Sequence, residues 1–218
     1  MKNILIILVA TLFVATPAMA DTIQGTIGGS ILNSDNTVIA GSFDYEHKTK
    51  DSRWQRYLNL DYAYNDTKGM LLKNEFDSFA KVDYNLDSRN YLQASGRYEH
   101  NELGLYKDKV VVGIGHGYRL IHNNTAKLSF ETSAGITEAK GLTEFVVRES
   151  IWASYKFTPK THIEEKFLIE HGKSHDYIRN KASLVLDVTD HVNVSVTHIY
   201  TDDYIISKQT TFNIGYKF

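Results

Sequence analysis

The sequence predicts an all-β protein: a transmembrane antiparallel β-barrel of about 12 strands, preceded by a cleaved signal peptide. Three observations predict it. The front of the chain reads as an export leader, the rest alternates in polarity with a period of 2, and the final strand ends on an aromatic residue.

The leader comes first. Lys2 supplies a positive start, Ile4 to Val14 is apolar, and Ala18-Met19-Ala20 is a small-x-small cleavage site ahead of Asp21. The apolar run is too short to span a bilayer as a helix, so the division is 1–20 signal peptide and 21–218 barrel. The mature part has no stretch long enough for a spanning helix, which does not argue against strands that cross with ~9–11 residues each.

Alternating segments follow at roughly 23–33, 36–47, 53–65, 70–84, 89–101, 107–120, 125–138, 144–157, 160–172, 178–189, 191–201 and 207–218, with turn signals between them and no amphipathic helix. The even-numbered connections read as short, as at Asn85–Ser88 and Thr158–Lys160. The odd-numbered ones, such as Asn65–Gly69 and Ala139–Thr143, read as slightly longer. That asymmetry predicts a short periplasmic rim, with both termini on it. Composition agrees. Only Pro159 remains outside the leader, which suits unbroken ladders, and Tyr and Phe are abundant.

The faces then sort. Leu58, Leu60, Tyr62 and Tyr64 share one parity, as do Phe145, Val147 and Ile151, and Leu184, Leu186 and Val194. The opposite parity carries charge, with cations and anions nearly balanced. A soluble β-sandwich would show the same alternation with its apolar face hidden; the leader, the turns and the end of the chain favour the barrel. Within the inward set, Arg97, Glu99, Arg119, Glu131, Arg148, Lys156 and Lys166 are expected to form a lumen charge network, because unpaired buried charge is costly. Glu149 and Glu165 break the pattern by sharing the lipid-facing parity, which a register-shifting bulge would explain. At the end of the chain, Phe212, Ile214, Tyr216 and Phe218 fall on one face; Phe212, Tyr216 and Phe218 are the expected assembly signal.

Several motifs point to less than they suggest. Gly113-x-Gly115-x-Gly117 is followed by Tyr118-Arg119-Leu120, which continues the strand, so it is not a phosphate loop; three inward glycines either remove bulk from the lumen wall or let a long side chain from across it fit. Nine histidines include no ligand cluster with metal spacing, and His171 and His175 straddle a loop. Ser195 with His198 and Ser174 with His175 are the nearest approach to a nucleophile–base pair, and neither lies in an enzyme motif. No catalytic residue, metal or cofactor is therefore expected. With a net charge of −2 and no basic run, nucleic acid is an unexpected partner.

Three stretches carry a resemblance: Tyr91-Leu92-Gln93-Ala94-Ser95-Gly96-Arg97-Tyr98-Glu99, Val112-Gly113-Ile114-Gly115-His116-Gly117-Tyr118-Arg119-Leu120, and the closing Asn213-Ile214-Gly215-Tyr216-Lys217-Phe218. From about Gly41 onward the chain resembles the family described as salt-induced outer membrane proteins, a domain of unknown function. His116 departs slightly from that pattern. The resemblance implies a barrel of the Gram-negative outer membrane and no established activity. The expected partners are outer-membrane lipid and lipopolysaccharide, the barrel assembly machinery and periplasmic chaperones, around a monomer. The functional expectation is an envelope-stress or structural barrel, or a narrow channel with a charge-balanced lumen. A lipid-modifying outer-membrane enzyme and a periplasmic β-sandwich binding module are the alternatives.

Overall fold

The computed structural model describes residues 21–33, 36–48, 53–67, 69–104, 107–174, 176–203 and 205–217. The expected leader and Phe218 lie outside these residues, as does the side chain of Tyr216. The described residues form one antiparallel sheet. Its strands are β1 (Asp21–Asn33), β2 (Asn36–Lys48), β3 (Trp54–Thr67), β4 (Met70–Asn85), β5 (Asn90–Asn101), β6 (Asp108–His122), β7 (Ala126–Ala139), β8 (Leu142–Thr158), β9 (Thr161–Gly172), β10 (Asp176–Asp187), β11 (Val192–Asp203) and β12 (Ile205–Lys217). Each strand pairs with its neighbours in chain order, and the sheet curls until β1 meets β12. That seam is short, running from Gln24↔Lys217 to Ile27↔Ile214.

Curling sends one parity inward. Odd residues of β3 to β5 and even residues of β8 and β9 line the lumen, while the other parity faces out. The outer face is apolar and open: Ile114 is 72% exposed, Phe212 75% and Ile214 66%. Interior positions carry charge instead, with Arg97 3% and Glu170 2% exposed. A soluble sandwich requires the reverse, so that alternative is corrected: an apolar exterior of this extent suits lipid, not water. Outward aromatics gather toward the ends of the strands. Trp54 and Tyr84 lie 4.8 Å apart and Tyr155 and Phe157 5.2 Å apart at one end, with Phe76 and Tyr98 6.3 Å apart toward the other. This is the placement of interfacial girdles.

Two expectations about the chain path are corrected. The odd-numbered connections are not the longer ones as a set: six residues separate β5 from β6, but the other odd-numbered connections hold three or fewer. β3 continues to Thr67 and β8 begins at Leu142, leaving two residues between β3 and β4 and two between β7 and β8, whereas four separate β4 from β5 and four separate β10 from β11. Glycine in the odd turns marked tightness rather than length: Lys140 and Gly141 have φ of 49° and 77°, the mirror-image turn that closes a two-residue hairpin. The second correction concerns Glu149 and Glu165. The β8–β9 register runs unbroken from Val146↔Gly172 to Lys156↔His162, and its irregularity lies beyond, between Lys156 and Thr158. No bulge rescues the two glutamates; both face outward and are exposed.

Candidate functional site

The lumen holds the chemistry of this protein. Its centre is Arg97, carried inward by β5. Nη1 donates to Glu170 Oε1 on β9 at 2.6 Å, and Nε lies 3.4 Å from Asp77 Oδ2 on β4. Nη2 pairs with Glu99, two residues along the same strand and therefore on the same face. The guanidinium stacks 3.8 Å from the centre of the Tyr177 ring on β10. The second Glu170 oxygen pairs with Arg148 at 3.4 Å, and Arg148 Nη1 donates to Ser95 Oγ at 3.1 Å. Arg179 on β10 spans to Asp61 at 2.8 Å and Asp77 at 3.0 Å, and Lys181 reaches the same Asp61 at 3.0 Å. These groups join strands on opposite walls, so they form a bar across the barrel. Each buried charge has an opposite one within reach, which makes the desolvation bearable.

A second tier lies nearer the rim formed by the even-numbered turns. Lys81 pairs with Glu131 from β7 and lies 3.2 Å from Asp83. Glu131 also accepts from Tyr91 OH at 2.7 Å and Ser150 Oγ at 3.0 Å. Tyr91 reaches it because β6 is bare at Gly117: a Cβ there would lie 2.1 Å from Tyr91 Cζ. Gly117 thus accommodates a long side chain from a neighbouring strand, whereas Gly113 and Gly115 allow close approach of the β7 backbone. Arg119 stacks on the Tyr91 ring at 4.3 Å and donates to Asn85 at 2.8 Å. Lys166 Nζ donates to Tyr57 OH at 2.6 Å, and that hydroxyl donates to Asp44 at 2.6 Å.

The two tiers shape the space. A cavity of about 400 Å³ opens among Tyr57, Lys81, Glu131, Trp152, His162 and Lys166. A much smaller one, about 40 Å³, lies against Lys109, Glu170, Tyr177 and Asp203. The Arg97–Glu170–Tyr177 group stands between them.

Of the residues singled out from sequence, Arg97, Glu99 and Arg148 fall in the bar, and Arg119, Glu131 and Lys166 in the second tier. Lys156 stands apart. It is exposed at the end of β8, beside the register irregularity, and makes no ion pair among the described residues. Arg179 is the residue that sequence reading missed. It shares parity with Lys181, which was the available signal, but it sits just inside the start of its strand. Tyr57, Tyr91 and Tyr177 were missed as well: their parity is inward, but the expected network was drawn from charged residues alone.

The nucleophile–base candidates do not assemble. Ser195 faces inward toward Asn213, while His198 faces outward and bonds Thr210 at 2.9 Å. Ser174 Oγ donates to Glu144, and His175 lies outside the described residues. Among the described residues no group of three His, Cys, Asp or Glu is placed to hold a metal ion.

Comparison with known proteins follows the geometry. The family described as "Protein of unknown function, DUF481" matches residues 32–218. No curated protein matches the sequence. Among solved structures, the chain is similar to the NanC porin, with a TM-score of 0.55, 10% identity and coverage of 91% of this chain and 99% of that one. An outer membrane channel from Pseudomonas putida F1 gives 0.53 and 10%, covering 93% and 96%. The KdgM porin gives 0.52 and 11%, covering 90% and 98%. At such identities the likeness shows the fold, that of outer-membrane β-barrels, and nothing finer.

Proposed function

The chain belongs to that DUF481 family of proteins of unknown function, and from this premise we propose that it is an outer-membrane barrel of the Gram-negative envelope whose lumen is barred by ion pairs. In this reading the leader is removed on export and the barrel assembly machinery inserts a closed barrel of twelve strands. Both termini then lie in the periplasm, and no enzymatic step is involved. Its role is structural, supporting the envelope under salt or other stress, with conduction limited to what passes a closed bar. One observation carries this: Arg97 from β5 meets Glu170 from β9 at 2.6 Å while stacked on Tyr177 from β10, joining three parts of the wall across the lumen. The exposed apolar exterior supports the membrane location.

The test is single-channel conductance of refolded protein in planar bilayers in two salts. The wild type conducts little, and Arg97→Ala conducts more. A large wild-type conductance left unchanged by that substitution would sink the barred-lumen reading. Orientation is tested separately: a tag at Gly141 is reached by protease on intact cells and one at Asp87 is not, and the opposite pattern inverts the barrel.

A second reading has its own observation. Arg119, Lys127 and Lys166 line the larger cavity, yet none has a carboxylate within 4.0 Å among the described residues. Cations held outside direct ion pairs on a water-accessible wall, with Glu164 and Asp83 only at longer range, favour small anionic solutes. Anion-over-cation selectivity in the same bilayer experiment, lost in Lys127→Ala with Lys166→Ala, would promote this narrow-channel reading.

A further inference from the structure

On the outer wall, His116, Thr132 and Glu149 stand directly opposite one another on β6, β7 and β8: His116 pairs with Thr132, and Thr132 with Glu149. All three are exposed. They lie at the middle of their strands, with Ile114, Phe130 and Ile151 beside them on the same face. The row borders a groove of about 360 Å³ whose other walls include Phe130, Ile151 and Phe167. If the barrel spans the outer membrane, as proposed above, the row sits near the bilayer midplane. An outward ionisable side chain is costly there, and acidic ones carry a cost that neighbouring apolar residues do not. Such a row persists where something other than lipid covers it.

We infer that this row is an interface between two copies of the chain. The argument is complementarity. Thr132 is at the centre, with a basic imidazole on one side and a carboxylate on the other. A two-fold axis along the membrane normal through Thr132 sets His116 of one copy on the side of Glu149 of the other, twice. An isologous interface needs a self-complementary patch of this kind, and a heterologous partner does not. Lipid satisfies neither group, whereas a second copy supplies each with its opposite. The groove beside the row, lined by Phe130, Ile151 and Phe167, gives the apolar side chains of the facing copy somewhere to pack. The inference departs from the monomer expected from sequence alone.

The chain has no cysteine, so single thiols report the contact without background. Thr132→Cys places one at the centre of the row, and Leu60→Cys places one on the outer face of β3, away from it. Both proteins are expressed in the outer membrane, oxidised, and run unboiled and boiled without reductant. Thr132→Cys yields a disulfide-linked dimer and Leu60→Cys does not. Adding His116→Leu and Glu149→Leu to Thr132→Cys lowers the linked fraction about ten-fold, equivalent to about 1.4 kcal/mol. Heat-modifiable migration reports the barrel itself in every lane. A folded Thr132→Cys barrel that stays monomeric, that links no better than Leu60→Cys, that links to a different protein, or that is indifferent to the two leucines overturns the dimer and leaves the barrel intact. A wild type without heat-modifiable migration overturns the barrel reading and the dimer with it.

Discussion

The two halves of the lumen wall are built from different chemistry. From β3 to β10 the inward residues are long and charged, and their partners lie across the barrel: Arg97 with Glu170, Arg179 with Asp61 and Asp77, Lys81 with Glu131. From β10 to β12 they are mostly short and neutral, and apart from Asp203, which reaches Lys109 of β6 at 3.7 Å, their partners lie on adjacent strands. Ser183 meets Thr197 at 3.0 Å, and Asn213 donates to Thr197 at 3.3 Å and Ser195 at 3.5 Å. Reach explains the difference. An Arg or Glu side chain can cross a lumen this narrow, whereas Ser, Thr and Asn can bond only to the next strand. Cross-lumen pairs therefore tie the walls together on one side, and the backbone ladder with local bonds holds the other.

The largest effects should come from cutting a cross-lumen pair. Arg97→Ala leaves Glu170, Asp77 and Glu99 without their shared cation in a buried setting, a loss of about 3–5 kcal/mol. Thr197→Val, in the neutral half, removes bonds to Ser183 and Asn213 and should cost about 1 kcal/mol. Denaturant midpoints of both variants in detergent micelles measure the contrast. Near-equal shifts would mean that water fills the lumen and screens the charged half toward the ~0–1 kcal/mol of exposed pairs.

The charged half also marks how far sequence carries. Inward parity was readable strand by strand, because alternation is local: Arg97 and Glu99, or Lys81 and Asp83, declare a shared face by spacing alone. Partners across the barrel were not readable. Nothing local says that Arg97 meets Glu170 rather than Glu131, since that depends on strand tilt and on which inward positions are bare. Turn lengths failed for a related reason. Polar residues such as Asn65, Asp66 and Thr143 read as loop, yet the ladder continues through them, because a strand end beyond the apolar band needs no apolar residue. Glu149 and Glu165 read as marks of a bulge because alternation alone assigns every outward position to lipid.

A middle-sized effect tests how the glycine row serves the charged half. Gly117→Ala drives a Cβ into the Tyr91 ring, which must move and release Glu131 and the stacked Arg119. Overpacking of this kind costs about 1–3 kcal/mol. Gly96→Ala meets nothing closer than 3.9 Å and should be close to silent. If the two glycines respond alike, the loss reflects the β6 backbone and not the seat of Tyr91. Unfolding midpoints in the same micelles decide between them.

The smallest effect compares the two halves at their rim. Four even-numbered turns use one device, a side-chain oxygen that accepts the backbone N–H groups two and three residues on. Asp87 does so at the β4–β5 turn, accepting from Arg89 and Asn90 at 2.7 Å each. Thr189 does so at the β10–β11 turn, accepting from His191 at 3.2 Å and Val192 at 2.9 Å. Asn123 and Thr158 supply the same oxygen at the turns between. Only Asp87 can titrate. The N–H groups of Asn90 and Arg89 favour its charged form and hold its carboxyl below the ordinary aspartate value. Protonation is therefore easier in the unfolded chain than in the folded turn. The stabilising contribution is complete above the unfolded aspartate value and fades as pH falls through the lower folded one. Amide exchange at Arg89 and Asn90, followed from pH 5 down toward pH 3 after correction for intrinsic rates, should show loosening of this turn while His191 and Val192 in the Thr189 turn hold. Asp87→Asn, which copies Asn123, should abolish the pH dependence at the first turn and leave the second untouched. A dependence that survives Asp87→Asn would assign the loosening to another carboxylate and not to that of Asp87.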